Sequence, residues 1–206
     1  MFREDEVNDW CCELMEFLGI IYRIVIFGAT GNTGLCALNS AVKKGLEVRA
    51  FVRDEGKIPE DVKGKIESVV GDVTNAEQVS NAVRDRDGVV VVLGTRNDLS
   101  PTTVMSQGIK NIIDAMKEHN VEHVSVCLSD TVPAIFKHVN ADHQRMFDYV
   151  KECGLKWIAV LPPHIAVKYG ESPGRAISKH DLGNFLVESL QQPEHYQKVC
   201  GIANGV

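Results

Sequence analysis

The sequence predicts an α/β protein: a doubly wound, mostly parallel sheet with helices on both faces. Three observations predict it. Strand-like and helix-like segments alternate six times, as in parallel sheets with right-handed crossovers. Strand-like runs such as Gly88–Leu93 and His123–Leu128 are continuously apolar, as in strands buried on both faces. A glycine-rich turn, GATGNTG at Gly28–Gly34, separates the first strand of that alternation from its first helix.

Each element follows from local spacing. In residues 8–19, Trp10, Leu14, Phe17 and Leu18 fall at helical spacing between Asn8, a plausible cap, and Gly19, a stop. A short acidic amphipathic helix or tail is expected there. Ile20–Phe27 is the first strand, and a helix follows from about Thr33 to Lys44, stopped by Gly45. Glu47–Val52 is the second strand. A polar stretch with Gly56, Pro59 and Gly64 leads to a third, Ile66–Val70, and a short helix over Asn75–Arg84. After Gly88–Leu93, Pro101 fits the first turn of a long helix reaching His119. His123–Leu128 is the fifth strand. A helix over Asn140–Cys153 ends at Gly154, and Lys156–Leu161, the sixth strand, ends at Pro162-Pro163. Residues 165–176 read as loop. The last helix runs from Ser178 or Lys179 to Gln191, with Pro193 beyond it.

Length and composition bound the function. A chain of 206 residues holds one domain and a short appendage. The boundary predicted here sets an acidic extension, residues 1–19, before a single domain over 20–206. The net charge of -6 is uneven: residues 1–19 hold six acids and one base, the remainder 22 acids and 21 bases. An acidic chain argues against nucleic-acid partners, which need a basic face. The six cysteines form no CxxC pair, and Cys36, Cys127 and Cys153 sit in apolar periodic runs, as buried small hydrophobes do. No metal site is expected. There is no apolar run of membrane-spanning length and no signal-like start. The expectation is a cytoplasmic, reduced, soluble protein without membrane contact.

Gly28, Gly31 and Gly34 are spaced GxxGxxG between a strand and a helix. The first glycine allows a tight turn, the second lets backbone approach a pyrophosphate, and the third lets helix and strand pack closely. The helix N-terminus offers free N–H groups to phosphate, and Thr30, Asn32 and Thr33 add side-chain donors. This makes the sheet Rossmann-type. An acidic residue at the end of the second strand would signal NAD. Arg53 stands there instead, 22 residues after Gly31, with Lys57 nearby. An arginine grips a 2′-phosphate bidentately, so NADPH/NADP+ is the expected cofactor. Asp54 need not repel that phosphate, since neighbouring strand residues face opposite ways. Asp72 either accepts from an adenine amino group or caps the next helix, and Val73 could pack on the ring. Leu93, Gly94, Thr95 and Arg96 end the fourth strand with small residues suited to a passing cofactor, and Arg96 adds a cation for the pyrophosphate.

Taken together, GATGNTG, FVRD, VGDV, LGTRNDLSPTTVM, DHQRM, LPPHI and ISKHDLG resemble the flavin reductase (NADPH), or biliverdin-IXβ reductase, family of atypical short-chain dehydrogenase/reductases. The resemblance covers about residues 22–190. It implies that Gly28, Thr30, Gly31, Asn32, Thr33 and Gly34 form the phosphate loop and that Arg53 meets the 2′-phosphate. It implies that Asp72 and Val73 contact adenine, and that Leu93, Gly94, Thr95 and Arg96 contact ribose and pyrophosphate. Met105 matches a cofactor-side position on the following helix. Cys127 and Ser129 match the end of strand five beside the nicotinamide. His143 matches the histidine of the DHQRM segment, and His164 with Ile165 the PPHI turn. By pattern alone Cys127 reads as core, His143 as a surface residue near a helix start, and Ser129 as a turn. His164 stands out unaided, because it follows Pro-Pro at a strand's carboxyl end, where α/β sheets place ligands. The segments Ser129–His143 and His164–Ser178 are shorter than in the family, and residues 1–19 are additional.

Ordinary short-chain dehydrogenases use a Tyr-x-x-x-Lys pair as general acid. Here Tyr22, Tyr149, Tyr169 and Tyr196 are followed four residues on by Ile26, Cys153, Pro173 and Cys200. Hydride transfer to a conjugated acceptor demands less, because flavins and linear tetrapyrroles spread the incoming charge. The resemblance implies NADPH-dependent reduction of free flavins (FMN, FAD, riboflavin) and biliverdins, with Ser129 and His164 positioning the acceptor and supplying the proton. It also fits a monomer. A redox sensor binding NADP(H) without turnover, or a reductase of another small metabolite, are the alternatives.

Overall fold

The computed structural model describes residues 19–96, 98–129, 136–162, 165–166 (backbone) and 177–203. The amphipathic segment expected over residues 8–18, His164, and the loop-like residues 167–176 lie outside the described residues.

Seven strands form one parallel sheet. They are β1 (Arg23–Phe27), β2 (Glu47–Val52), β3 (Glu67–Val70), β4 (Gly88–Val91), β5 (His123–Cys127), β6 (Lys156–Leu161) and a late edge strand, Lys198–Gly201. Between the last two lies a two-residue pair, β7 (Ile165–Ala166) with β8 (Ile177–Ser178), which makes the edge strand β9. The order is β3-β2-β1-β4-β5-β6-β9. It reverses between β1 and β4, the position where open α/β sheets leave a crevice for ligands.

Helices α1 (Asn32–Lys43) and α6 (Lys179–Glu188) cover one face; α3 (Ala76–Val83), α4 (Val104–Glu118) and α5 (Lys137–Glu152) cover the other. The short α2 (Glu60–Lys63) lies between β2 and β3. The sheet separates two apolar layers. Val25, Phe27, Val89 and Val91 face Ile109, Ile112 and Met146, whereas Ile24, Ile26 and Val90 face Leu38, Leu182 and Leu186. All these side chains are fully buried, which is why the central strands read as continuous apolar runs.

The expected doubly wound fold is present, and β2 and β6 match their predicted bounds. The differences have physical reasons. Strand β4 stops at Val91, although the Val92 amide still donates to the Phe27 carbonyl at 2.9 Å. Pro101 is not in the first turn of α4, which begins at Val104. The hydroxyl of Thr102 accepts from the Val104 amide, and the carboxylate of Asp142 accepts from the Met105 amide. These acceptors, one of them distant in sequence, place the helix start. Helix α5 begins at Lys137, one turn before Asn140, and α6 gives way to a 3-10 turn at Ser189–Gln191. The Ser178 hydroxyl caps α6 by accepting from the Asp181 amide at 3.0 Å. Strand β9 was not expected: it is four residues long and mostly exposed, so it carries little hydrophobic signal.

Candidate nucleotide-binding site

The loop between β1 and α1 is shaped by close backbone approaches. Gly28 has φ +83, and a Cβ there would stand 2.3 Å from the Val92 carbonyl oxygen. A Cβ on Gly34 would stand 2.1 Å from the Gly28 carbonyl oxygen. No side chain fits either gap, so β1, the start of α1 and the end of β4 can approach only through glycines. Gly31 occupies the N-cap of α1, and among the described residues no side chain caps that terminus. Its amide donates to the Gly28 carbonyl at 3.0 Å. The loop thus leaves the first-turn amides of α1 directed outward and uncapped, an anion site by geometry. Thr33 is buried in the first turn, while Thr30 and Asn32 stay accessible.

Arg96 reaches the same loop from beyond β4. It adopts φ +58, and its guanidinium donates to the Thr30 carbonyl at 3.2 Å. Leu93 packs against the core, whereas Gly94 is open, with no atom within 4 Å of a Cβ built there.

Arg53 directly follows β2 and is exposed. The next residue, Asp54, has its carboxylate committed elsewhere. One oxygen accepts from the Gly56 amide at 3.0 Å, and the other pairs with Lys57 at 3.2 Å. The hydrogen bond from Lys57, then that from Gly56, lowers the Asp54 carboxyl below its ordinary range. The structure therefore brings Lys57 to Asp54.

Asp72 follows β3. Thr74 donates to it through its hydroxyl at 2.6 Å and its amide at 2.8 Å. These two bonds, with a smaller contribution from the Arg53 charge, lower its pKa. The expected alternative, that Asp72 caps the next helix, is corrected: Asn75 caps α3, accepting from the Gln78 amide at 3.1 Å. Val73 is buried and turned toward Gly108 of α4, where a Cβ would come within 2.7 Å of it. Its carbonyl accepts from Asn111.

Met105 is buried in the first turn of α4. At the end of β5, burial pushes the Cys127 thiol up to about 12, so it is neutral near pH 7. Ser129 lies two residues further, half-buried. The surface reading of His143 is corrected: it is buried on α5, and among the described residues its Nδ1 has no hydrogen-bond partner. Burial outweighs the neighbouring Asp142 and lowers its pKa, keeping the ring neutral. Ile165 lies in β7.

The uncapped helix, the glycine-only contacts, the open Gly94 and the cations Arg53 and Arg96 fit a dinucleotide laid across the carboxyl end of the sheet. Residues 28–193 match the protein family described as NAD(P)H-binding. The chain belongs to the NAD(P)H-binding family. The expected cofactor, NADPH/NADP+, is of the class this family binds.

This NAD(P)H-binding chain is similar to other known proteins. It is 26% identical over 121 residues to a 3-beta-hydroxysteroid dehydrogenase from Mycolicibacterium neoaurum, covering 53% of this chain and 32% of that protein. The chain thus spans about a third of the length of that curated relative. Solved structures share its fold, two of them as follows. A Rossmann-fold NAD(P)-binding family protein from Shigella flexneri superposes with TM-score 0.70 at 21% identity, covering 88% of this chain and 92% of that one. The oxidoreductase ylbE from Lactococcus lactis superposes with TM-score 0.76 at 16% identity, covering 88% and 90%. No helix among the described residues is long and apolar enough to cross a membrane.

Two residues around this NAD(P)H-binding site escaped sequence reasoning. Asp142 is a fully buried carboxylate, and Asn111 fixes the Val73 backbone. Asp142 had a partial signal in the spacing Asp142–Arg145, an i,i+3 pair on one helix face. Such pairs are usually solvated, and nothing local marks this one as buried.

Proposed function

We propose that the chain is an NADPH-dependent reductase passing a hydride to free flavins and to biliverdin-type tetrapyrroles. The observation that carries the NADPH preference is the end of β2. Arg53 is presented there, while the adjacent Asp54 is engaged by Lys57 and the Gly56 amide. A ribose-binding carboxylate would favour the cofactor without a 2′-phosphate; a guanidinium favours the one with it.

NADPH, when bound, supplies the hydride. The chain's own residues bind and orient. The first-turn amides of α1 and the Arg96 guanidinium would hold the pyrophosphate, and Arg53 the 2′-phosphate. Cys127 and His143 stay neutral and place no charge beside the acceptor. The chain has no Tyr-x-x-x-Lys pair, which suits an acceptor that delocalises charge itself. Ser129 and His164 are assigned to positioning the acceptor and supplying a proton.

NADPH oxidation by the purified protein, followed separately with FMN and with biliverdin, tests this reading. Turnover with both is expected, and no turnover with either overturns it. Unchanged rates in Ser129→Ala and His164→Ala would remove only those two roles. One observation favours a second reading, a redox sensor binding NADP(H) without turnover: the neutral, partly buried Cys127 and the neutral, buried His143 leave few proton donors at the site. Calorimetry that separates NADP+ from NADPH affinity, alongside absent turnover, would select it.

A further inference from the structure

We propose that Thr74 is a positioning residue for the base end of the cofactor site, holding the Asp72 carboxylate so that one of its oxygens reads the 6-amino group of adenine; this rests on the NADP(H)-binding reading above. Asp72, Val73 and Thr74 lie in the turn between β3 and α3. The backbone of that turn is held from several sides. The Gly71 amide donates to the Val52 carbonyl at 2.9 Å, and the Asp72 amide to the Gln78 side chain at 2.9 Å. The Asp72 carbonyl accepts from the Asn75 amide at 3.0 Å, and the Val73 carbonyl from the Asn111 side chain at 2.9 Å. The Val73 side chain is buried against Gly108. With the backbone so fixed, the freedom left at the base end is rotation of the Asp72 side chain.

Thr74 removes that freedom. Its hydroxyl donates to Asp72 Oδ1 at 2.6 Å and its amide to the same oxygen at 2.8 Å. Among the described residues Oδ2 has no hydrogen-bond partner, and Asp72 is exposed. The Thr74 hydroxyl, then its amide, favours the ionised form, and a carboxylate can only accept. A base with an amino group at position 6 satisfies Oδ2. One with a 6-oxo group, such as hypoxanthine, sets an oxygen against it. The nearest N–H of that base is at N1, one ring position away, which a held carboxylate does not follow and a freed one can. Arg53 stands at the end of the neighbouring strand β2, close enough for its charge to reach Asp72. Two adjacent strand ends thus carry a cation assigned to the 2′-phosphate and an anion assigned to the base.

Titration with NADPH and with its hypoxanthine analogue, which carries a 6-oxo group in place of the 6-amino group, tests this selection. Wild type is expected to prefer NADPH by roughly 10- to 150-fold, the worth of one charge-assisted hydrogen bond. Thr74→Val keeps the shape and the amide but loses the hydroxyl, and should cut that preference by about threefold or more, the worth of an ordinary hydrogen bond. Thr74→Ser, which keeps the hydroxyl, should restore it. Asp72→Asn presents an amide that can also donate to a 6-oxo group, so its preference should fall to about one or below. Loosening of the fold alone would weaken both dinucleotides together and leave their ratio as in wild type. An unchanged ratio in Thr74→Val, or a wild type that binds both dinucleotides equally, overturns the proposal and leaves NADP(H) binding standing. A wild type that binds neither overturns the NADP(H) reading and this proposal with it.

Discussion

On the proposed reading, Arg53 is the residue that distinguishes the two nicotinamide cofactors. One charge-assisted hydrogen bond is worth about 1.5–3 kcal/mol, so Arg53→Ala is expected to weaken NADP+ by roughly 10- to 150-fold. NAD+, lacking the phosphate, should change little, and calorimetric titration of both reads the difference. His143 makes a prediction about pH. Its pKa in the folded protein is below the ordinary 6.5, with burial the main cause. The unfolded chain therefore binds the extra proton first as pH falls through 6.5, and stability declines from there toward the lowered folded value. His143→Phe is expected to flatten the loss of Tm on acidification from pH ~7 to ~5 relative to wild type, a window set by the unperturbed histidine pKa. His123 is shifted the same way by burial and leaves part of the slope in place. At this scale the sequence marks the residues whose type is itself the message, such as Gly28, Gly34 and Arg53. It does not mark Asp142 or the burial of His143, because both depend on α4 packing against α5 some forty positions away.

Helix α1 and helix α6 form the tightest layer beside the phosphate loop. A Cβ on Gly183 would stand 2.6 Å from the Ala37 amide nitrogen and 2.7 Å from the Cys36 carbonyl carbon. Ser40 donates to Asn184 at 2.8 Å across the same contact. Both obstacles are backbone, so Gly183→Ala must push the helices apart. Overpacking of this kind costs about 1–3 kcal/mol. For a chain of this size each kcal/mol lowers Tm by roughly 2–4 °C, so thermal unfolding should fall by about 2–12 °C. The segment ISKHDLG shows at sequence level that Gly183 belongs to a helix; that its missing side chain admits α1 is visible only in three dimensions. Elements with strong periodicity or continuous apolar runs were legible: β2 and β6 match their bounds. Those whose ends rest on remote partners were not. The start of α4 is fixed by α5, and β9, mostly exposed, pairs in parallel with β6.

For the molecule as a whole, a ligand that binds only the folded state adds RT ln(1 + [L]/Kd), about 2.7 kcal/mol at a hundred times Kd. NADPH at that excess is expected to raise Tm by about 5–10 °C, read by thermal shift. NAD+ at the same concentration should raise it less. Equal shifts would deny the selectivity assigned to Arg53. The net charge of -6 does not oppose this. Most of it sits in residues 1–19, and the body keeps its cations where a dinucleotide's phosphates would lie. The total was legible at once, but its bearing on the ligand needed the positions of Arg53 and Arg96 at the carboxyl end of the sheet.

The strand order also carries a history of assembly. In the order β3-β2-β1-β4-β5-β6-β9, the sheet grows one way from β1 through β3, then the other way from β4 onward. A chain emerging from the ribosome can lay down β1, β2 and β3 by Val70, yet the far side of β1 stays bare until Gly88–Val91 arrive. Each later strand covers the edge left by its predecessor and opens the next. The nascent protein therefore always carries one unpaired, strongly apolar edge on that side, first β1, then β4, β5 and β6. Until β9 closes that series, synthesis itself is the stage at which this chain most needs protection from its neighbours.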